Sequence, residues 1–256
     1  MATVESIYRY PVKGLSPEHL DGTRLEVGQT LPADRQYAIE NGPSGFDPAA
    51  PGYFPKTQFL MLMRNERLAT LDTSYEDATH SLVIRHDGRE LARGDLSTRE
   101  GRLAIEAFFR RFMPAELRGP PKVLHAEGHS FSDVAAKVVS IINLASVAAI
   151  EDAVGVPVHP LRFRGNLYVE GWPAWHEFGL IGSEIAIGPA RLKATKRITR
   201  CAATNVDPDT GIRDLAIPAT LRQTFDHMDC GIYARVVAGG EIAPGSAVVI
   251  PGEPGR

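Results

Sequence analysis

The chain has 256 residues, of which 43% are hydrophobic and 23% charged, and its formal net charge is -3 at pH 7. This composition is typical of folded globular domains and excludes an intrinsically disordered chain. The small negative charge gives no overall attraction to nucleic acid or to an anionic membrane, and no apolar run reaches the roughly 20 residues that a spanning helix needs.

Short β-strands separated by proline and glycine dominate the first part of the sequence. The predicted strands cover residues 4–10, 24–27, 37–40, 68–71 and 82–85. After the third of them, residues 41–55 carry glycines, prolines and scattered aromatic residues. This composition predicts a surface loop, of the kind that can overhang a binding site.

The clearest helix follows these strands. Its marks are apolar residues spaced one turn apart, Ile105, Phe108, Phe109 and Phe112. Ser97 and Glu100 have the spacing of a capping box, and Pro114 is expected to end the helix. We interpret the phenylalanine-rich face as core packing and not as part of a cofactor site.

Residues 118–129, which contain glycine, proline and histidine, predict a junction between one domain at 1–117 and a second at 118–256. The second part has predicted strands at 138–142, 167–170, 184–187, 191–195, 231–237 and 247–250, and a short helix at 219–225. A longer helix is predicted to begin at Asn143 or Ser146 and to end at Gly155. Many strands without strand–helix alternation favour a mainly β, α+β protein built on a β-barrel over a Rossmann-type sheet.

The sequence contains two cysteines, Cys201 and Cys230. The N-terminus has neither the basic head nor the apolar core of a secretory leader, so we expect a cytoplasmic protein without a membrane partner or a structural disulfide. Two thiols are too few for an iron–sulfur cluster with four protein ligands, and any redox activity would draw its electrons from another protein.

Cys201 is the strongest candidate for a reactive residue. It follows Arg200, and Asp207 opens an Asp-Pro-Asp-Thr-Gly turn a few residues later. Cationic neighbours favour the thiolate, which is the form of cysteine that binds a metal or attacks an electrophile. A cysteine alone is more often a buried structural residue, but these neighbours favour a site. A hydrolase in which His227 activates the thiol stays open as an alternative.

Two other patterns are weaker. His227 and Cys230 have the spacing of half a zinc site, but the other histidines show no ligand spacing that would complete it. Basic residues cluster between positions 191 and 200 without interleaved aromatic residues, which is typical of a solvated strand. We therefore expect no nucleic-acid partner.

The segment around Cys201 resembles the cysteine motif of the MOSC domain, the family of molybdenum cofactor sulfurase C-terminal domains. Further segments occur in the order typical of the family and extend the resemblance over nearly the whole chain: Tyr10-Pro11-Val12-Lys13, Asp34-Arg35-Gln36-Tyr37 and Arg162-Phe163-Arg164-Gly165-Asn166. Within the family, the layout is similar to that of the amidoxime-reducing proteins of mitochondria and their bacterial counterparts. This resemblance implies an MOSC-type β-barrel preceded by a smaller β-rich N-terminal domain.

The resemblance also implies a molybdenum pyranopterin cofactor, with Cys201 as a metal ligand and Asp207 as an acid–base group or a turn residue. A soft thiolate suits a metal that a dithiolene already binds. The cofactor-binding positions implied by the motifs, or expected beside them, are Lys13, Gly14, Arg35, Lys137, Arg164, Asn166, Thr199, Arg200 and Tyr233. Gly14 departs from the serine usual in relatives, and Lys137 stands where they often have small polar residues. At the level of the family, pyridoxal phosphate binding is a further expectation.

The implied activity is the reduction of N-hydroxylated or N-oxide compounds by removal of an oxygen atom at the cysteine-bound molybdenum. The implied partners are such a small-molecule substrate and an external electron donor protein with flavin or iron–sulfur centres. The alternative is a carrier that holds sulfur as a persulfide on Cys201, or the cofactor itself, for delivery to another protein.

Overall fold

The computed structural model describes residues 1–250, and strands make up most of its regular structure. The strands are β1 (Ala2–Arg9), β2 (Glu18–His19), β3 (Thr23–Leu25), β4 (Tyr37–Asn41), β5 (Asp72–Glu76), β6 (Ser81–His86), β7 (Arg89–Asp95), β8 (Pro121–His125), β9 (Val139–Asn143), β10 (Leu167–Glu170), β11 (Glu184–Ile187), β12 (Ala190–Thr199), β13 (Asp229–Ala238), β14 (Gly240–Ile242) and β15 (Ala247–Val249). The α-helices within the same range are α1 (Arg99–Phe112), α2 (Leu144–Val154), α3 (His176–Gly179) and α4 (Ile217–Phe225). The mainly β class predicted from the sequence is confirmed.

Seven strands close into a barrel in the order β10, β9, β13, β12, β11, β15 and β1, with β1 pairing back onto β10. Strands β9 and β10 run parallel, and the other neighbours in the barrel run antiparallel. Successive side chains of a strand point to opposite faces, so in β12 Leu192 and Ala194 are buried while Lys193 is exposed. Closure leaves no free edge among these seven strands.

The other strands form smaller sheets beside the barrel. Strands β5, β6 and β7 form an antiparallel sheet that packs against α1, and β4 pairs with β8. Strand β1 belongs to the barrel and β8 pairs with β4, so pairings connect both sides of the predicted boundary between residues 117 and 118. The division into domains at that point stays a prediction.

Helix α1 and strand β7 approach each other through two glycines. A Cβ atom on Gly94 would lie 2.3 Å from the carbonyl oxygen of Gly101, and one on Gly101 would lie 2.0 Å from that of Asp95. Thr98 caps the helix, because its Oγ1 accepts a hydrogen bond from Gly101 N at 3.0 Å. The predicted capping box is therefore wrong, since the Ser97 hydroxyl bonds Asp95 instead.

The predicted strand at 68–71 is also wrong, because residues Glu66–Thr70 form a short 3-10 helix. Leu68 and Leu71 are the buried residues of this segment. Their spacing of three matches one turn of a 3-10 helix and not the alternation of a strand.

Helix α2 begins after Asn143, whose Oδ1 accepts from Ala145 N, so the first of its two predicted starts is confirmed.

A fully buried carboxylate ties two helices to the barrel. Glu177 accepts hydrogen bonds from Asn143 Nδ2 at 2.8 Å, from Ser146 Oγ at 2.9 Å and from Gly231 N at 3.3 Å. These donors come from the end of β9, from α2 and from β13. The carboxylate therefore fixes the beginning of β13, which lies beside the end of β12.

None of the helices within residues 1–250 is both long and apolar enough to cross a membrane.

We predict that Glu177→Ala lowers the free energy of unfolding by about 3 kcal/mol, because it removes an acceptor from three buried donors, of which Asn143 Nδ2 keeps its bond to the carbonyl oxygen of Pro173. Urea unfolding followed by circular dichroism measures the change. Glu184→Ala, on the exposed start of β11, is the matched control and is expected to stay within about 0.5 kcal/mol of the parent. Equal stability of both variants would contradict the anchoring role of Glu177.

Candidate functional site

A cavity of about 330 Å³ lies where the open end of the barrel strands faces the segments that follow β1 and β4. Most of the predicted site residues line it: Lys13, Gly14, Arg35, Arg164, Asn166, Thr199, Arg200, Cys201 and Tyr233. The structure thus brings together motifs that are spread from residue 13 to residue 233. Basic side chains outnumber acidic ones on the lining, where the acidic side chains are Asp34 and Asp133.

Cys201 lies two residues after Thr199, the last residue of β12. Its carbonyl oxygen accepts hydrogen bonds from Thr204 N at 3.0 Å and from Thr204 Oγ1 at 2.9 Å, which close a short 3-10 turn over Ala202–Asn205. Along the chain, the cysteine lies between two buried residues, Ile198 before it and Thr204 after it. The thiol is only partly buried and lines the cavity, so a ligand in the cavity can reach the sulfur.

The Lys56 side chain, which the sequence did not single out, contacts this thiol with Nζ 3.2 Å from Sγ. Burial acts to lower the pKa of Lys56, but the negative charge of Asp133 and the thiol of Cys201 raise it overall. Lys56 therefore carries a positive charge at neutral pH, beside the sulfur that would become a thiolate. The signal for this residue was its position directly after the predicted overhanging loop at 41–55.

Asp133 lies between two ammonium groups of the cavity. Its carboxylate forms an ion pair with Lys13 and contacts Lys56 Nζ at 3.3 Å. Burial alone would raise the pKa of Asp133, but the charges of Lys13 and Lys56 hold it below the usual range. Lys13 is 5% exposed and also donates to the carbonyl oxygen of Phe131 at 2.8 Å, and burial lowers its pKa.

Two guanidinium groups stack on the buried ring of Tyr10. The Cζ atom of Arg164 lies 4.2 Å from the ring centroid and that of Arg35 lies 4.8 Å from it. Arg35 forms an ion pair with Asp34 and donates to the carbonyl oxygen of Arg164 at 3.0 Å. Arg164 adopts a left-handed backbone conformation, with φ at 49°, that ends the Pro160–Phe163 turn.

Arg164 carries a hydrogen-bond donor that the protein leaves unused. Its Nη2 is buried and has no hydrogen-bond partner among the described residues. Burial lowers the pKa of Arg164, but an arginine titrates so high that it keeps its charge at neutral pH. A buried, unpaired donor of this kind costs free energy, which an anionic ligand in the cavity would offset.

Arg200 has a different environment, because backbone carbonyl groups take up its donors. Its Nε donates to the carbonyl oxygen of Cys230 at 2.8 Å and its Nη1 to that of Phe163 at 2.8 Å. Arg200 thereby ties the cysteine segment to the Arg-Phe-Arg segment. Burial raises the pKa of the Cys230 thiol to about 12, so this second cysteine stays protonated inside the core.

Other predicted residues line the cavity, and the side chains of Asn166 and Thr199 are already hydrogen-bonded within the protein. Asn166 is buried, its Oδ1 accepts from Ser140 Oγ at 2.8 Å, and its Nδ2 donates to the carbonyl oxygen of Tyr8 at 3.2 Å. The Thr199 hydroxyl donates to Asp229 at 2.7 Å. Tyr233 presents its ring to Lys196, whose Nζ lies 5.7 Å from the ring centroid. These residues shape the wall of the cavity and join its strands.

Gly14 is required by the backbone around it. Its φ of +85° is a conformation that favours glycine, and a Cβ atom there would lie 2.8 Å from the carbonyl oxygen of Leu60. The departure from the serine of related sequences therefore goes together with a close approach of two chain segments at the cavity wall.

Two predicted residues do not reach the cavity. Lys137 donates to Gln29 Oε1 at 2.6 Å, away from the lining residues. Asp207 Oδ1 accepts from Thr210 N at 2.8 Å, and its Oδ2 pairs with Arg162 Nη2 at 2.9 Å. Burial acts to raise the pKa of Asp207, but these hydrogen bonds and the charge of Arg162 lower it. Its carboxylate stabilises the turn and orients a cation of the lining.

His227, the base of the hydrolase alternative, lies in an aromatic cluster and not on the cavity wall. Its ring packs 5.0 Å from that of Trp175 and 5.2 Å from that of Phe178, measured between centroids, and its Nδ1 accepts from Asp229 N. Among residues 1–250, no group of three or more histidine, cysteine, aspartate or glutamate side chains is arranged to hold a metal ion.

Comparison with known families matches residues 126–249 to the MOSC domain and residues 1–113 to the MOSC N-terminal beta barrel domain. Mitochondrial amidoxime-reducing component 1 of Mus musculus is 26% identical over 129 residues, which cover 49% of this chain and 35% of the relative. The Homo sapiens protein of the same name is 29% identical over 89 residues, which cover 35% and 26%. The matches thus span about a third or less of these curated relatives.

Comparison with solved structures finds the YUAD protein from Bacillus subtilis, which is 13% identical with a TM-score of 0.46, over 96% of this chain and 93% of that one. YiiM from Geobacillus stearothermophilus is 20% identical with a TM-score of 0.36, over 44% and 53%. The two domain matches together account for nearly the whole chain, and the protein belongs to the MOSC domain family, with an MOSC N-terminal beta barrel domain followed by an MOSC domain.

Proposed function

We propose that the protein holds a molybdenum cofactor in this cavity and uses it to remove an oxygen atom from N-hydroxylated or N-oxide compounds. The observation that carries the proposal is the presence of two features in one cavity, the accessible sulfur of Cys201 and the unpaired guanidinium donor of Arg164. The similarity to proteins named amidoxime-reducing component supports this choice of reaction.

The residues present fit such a cofactor. A thiolate at Cys201 would complete the soft, sulfur-rich side of the metal's coordination. Lys13, Arg35 and Arg164 would hold the phosphate and the polar pterin, because guanidinium and ammonium groups form charge-assisted hydrogen bonds with such oxygens. The cavity volume of about 330 Å³ is within the range of small-molecule sites.

When bound, the cofactor would supply a metal that changes its oxidation level by two electrons and accepts an oxygen atom. The protein's own residues have simpler tasks. Cys201 fixes the metal, the basic side chains neutralise the anionic cofactor, and Lys56 keeps a proton on Nζ beside the sulfur. Asp207 stays ionised in its turn and orients Arg162.

The proposed reaction needs an electron donor from outside the chain. Conversion of an N-hydroxyl group to an N–H group consumes two electrons and two protons and releases water. The chain has two cysteines, which is fewer than an iron–sulfur cluster usually takes, so we propose a partner protein with flavin or iron–sulfur centres. A cytoplasmic location is part of the same proposal.

We predict that purified protein carries molybdenum and pterin in nearly equal amounts, approaching one of each per chain. Elemental analysis together with the fluorescence of the released pterin measures both. A sulfane sulfur on Cys201 without bound metal would contradict the enzyme and support the carrier, because Lys56 can stabilise a persulfide anion as well as a thiolate.

Cys201→Ser is expected to lower the turnover of an amidoxime, with a reduced dye as electron donor, by about 100-fold or more, because a hydroxyl is a poor ligand for a soft metal. Cys230→Ala is the matched control, since that thiol is buried and protonated. Circular dichroism checks that both variants are folded. Unchanged turnover by Cys201→Ser would reject the ligand role.

Arg164→Ala is expected to reduce the pterin content of the isolated protein roughly tenfold, because it removes the cation whose donor is free for an anionic ligand. Arg64→Ala removes an exposed arginine outside this cavity and is expected to keep the content of the parent. Equal pterin content in the two variants would clear Arg164 of the role.

A further inference from the structure

The carboxylate of Asp133 and the sulfur of Cys201 share one ammonium group. Lys56 Nζ lies 3.3 Å from Asp133 Oδ2 and 3.2 Å from Cys201 Sγ. The other carboxylate oxygen of Asp133 pairs with Lys13. An oxyanion of the protein itself therefore sits between two cations, close to the sulfur, in the place where an anionic ligand would bind.

The two acidic residues on the lining differ in how firmly they are held. Asp34 is 3% exposed, and one of its oxygens accepts from Tyr10 N at 2.9 Å while the other pairs with Arg35. Within residues 1–250 no backbone N–H donates to the Asp133 carboxylate, and this side chain, which lines the cavity, is 42% exposed. Asp34 is thus part of the wall, whereas Asp133 projects into the space.

The segment that carries Asp133 can move with little loss of structure. Within the described part of the chain, residues 132–137 take part in no backbone–backbone hydrogen bond. The segment is held before them by Phe131 N, which donates to the carbonyl oxygen of Arg35, and after them by the start of β9. Side-chain donors also contact the segment or extend from it: Tyr53 Oη donates to the carbonyl oxygen of Asp133 at 3.3 Å, and Lys137 donates to Gln29. Displacement of the carboxylate breaks its ion pairs but no strand or helix.

We propose that the Asp133 carboxylate is an internal counter-ion. It occupies the position between Lys13 and Lys56 that an oxyanion of the ligand takes (the seat), and ligand binding displaces it. A carboxylate and a phosphate offer the same kind of acceptor to two ammonium groups. The counter-ion stabilises the cavity before loading, because buried cations without a partner are costly. The identity of the ligand as a phosphate-bearing cofactor rests on the proposed function.

Competition with the Asp133 carboxylate lowers the affinity of the cavity for its ligand. A ligand that must compete with a tethered carboxylate binds more weakly than it would to the open seat, because only the open fraction is competent to bind. Displacement would also replace the Asp133 carboxylate by the ligand oxyanion as the partner of Lys56, whose ammonium group contacts the sulfur of Cys201. Filling the seat therefore changes the surroundings of the cysteine.

The test measures the binding of pyrophosphate to the full-length, cofactor-free protein by isothermal titration calorimetry. Asp133→Asn keeps the shape of the side chain and removes its charge, while Asp133→Ala also empties the seat. We expect both variants to bind pyrophosphate about tenfold more tightly than the parent, which corresponds to about 1.4 kcal/mol. Asp47→Asn removes an equal charge from an exposed position and is expected to stay within about twofold.

The outcomes separate this proposal from the proposed function. If the parent binds pyrophosphate and the Asp133 variants bind it equally or more weakly, the counter-ion proposal is wrong. Asp133 would then serve to position Lys13 for the ligand. If neither the parent nor any variant binds pyrophosphate, the cavity is not an anion-binding site. Both the counter-ion proposal and the proposed function would then be wrong. Circular dichroism of each variant establishes that it is folded, and Asp133→Asn alone decides the question if Asp133→Ala does not fold.

Discussion

Burial of positive charge around one cavity is the constraint on which the rest of the structure depends. Lys13 is buried, and Arg35 and Arg164 are half-buried on the cavity wall, where an unpaired charge is less stable than in water. The fold compensates most of these groups with carboxylates, carbonyl oxygens or an aromatic ring. Compensation is incomplete at Arg164 Nη2 and at Arg162 Nε, which are buried donors without a partner among the described residues. A cavity built in this way favours an anionic ligand.

The scaffold explains how residues so distant in sequence meet there. Closure of the barrel between β1 and β10 brings the segment after β1 next to the Arg-Phe-Arg segment before β10. Arg200 connects that segment to the end of β12 through the carbonyl oxygens of Phe163 and Cys230. Glu177 holds the beginning of β13 from the other side. The sulfur of Cys201 is therefore positioned by the barrel itself and not by a flexible loop.

Much of this could be predicted from the sequence, because local patterns determine local structure. Alternating burial along strands such as β12 and the helical spacing of Ile105 and Phe109 gave the correct element types. The failures have local causes as well. Leu68 and Leu71 have a spacing of three, which a 3-10 helix satisfies, and Thr98 competes with Ser97 for the cap one residue away.

The cavity-lining residues that belong to a recognisable motif were predicted from the sequence. Those that only the tertiary structure brings to the cavity were missed. Lys13, Arg164 and Cys201 belong to recognisable segments and all line the cavity. Lys56 begins a short 3-10 helix and Asp133 lies in an irregular segment, and their local sequence does not show that the two segments meet beside the sulfur. For Asp207 the sequence left open an acid–base group or a turn residue, and in the structure its carboxylate bonds within the turn and pairs with Arg162.

X-ray absorption at the molybdenum edge of the isolated protein tests the central claim most directly, because it reports which atoms surround the metal. If the cavity holds the cofactor with the thiolate of Cys201 as a ligand, the parent protein will show one more sulfur around molybdenum than the Cys201→Ser variant. The same number of sulfur neighbours in both proteins would contradict the account, since the metal would then be bound without the cysteine.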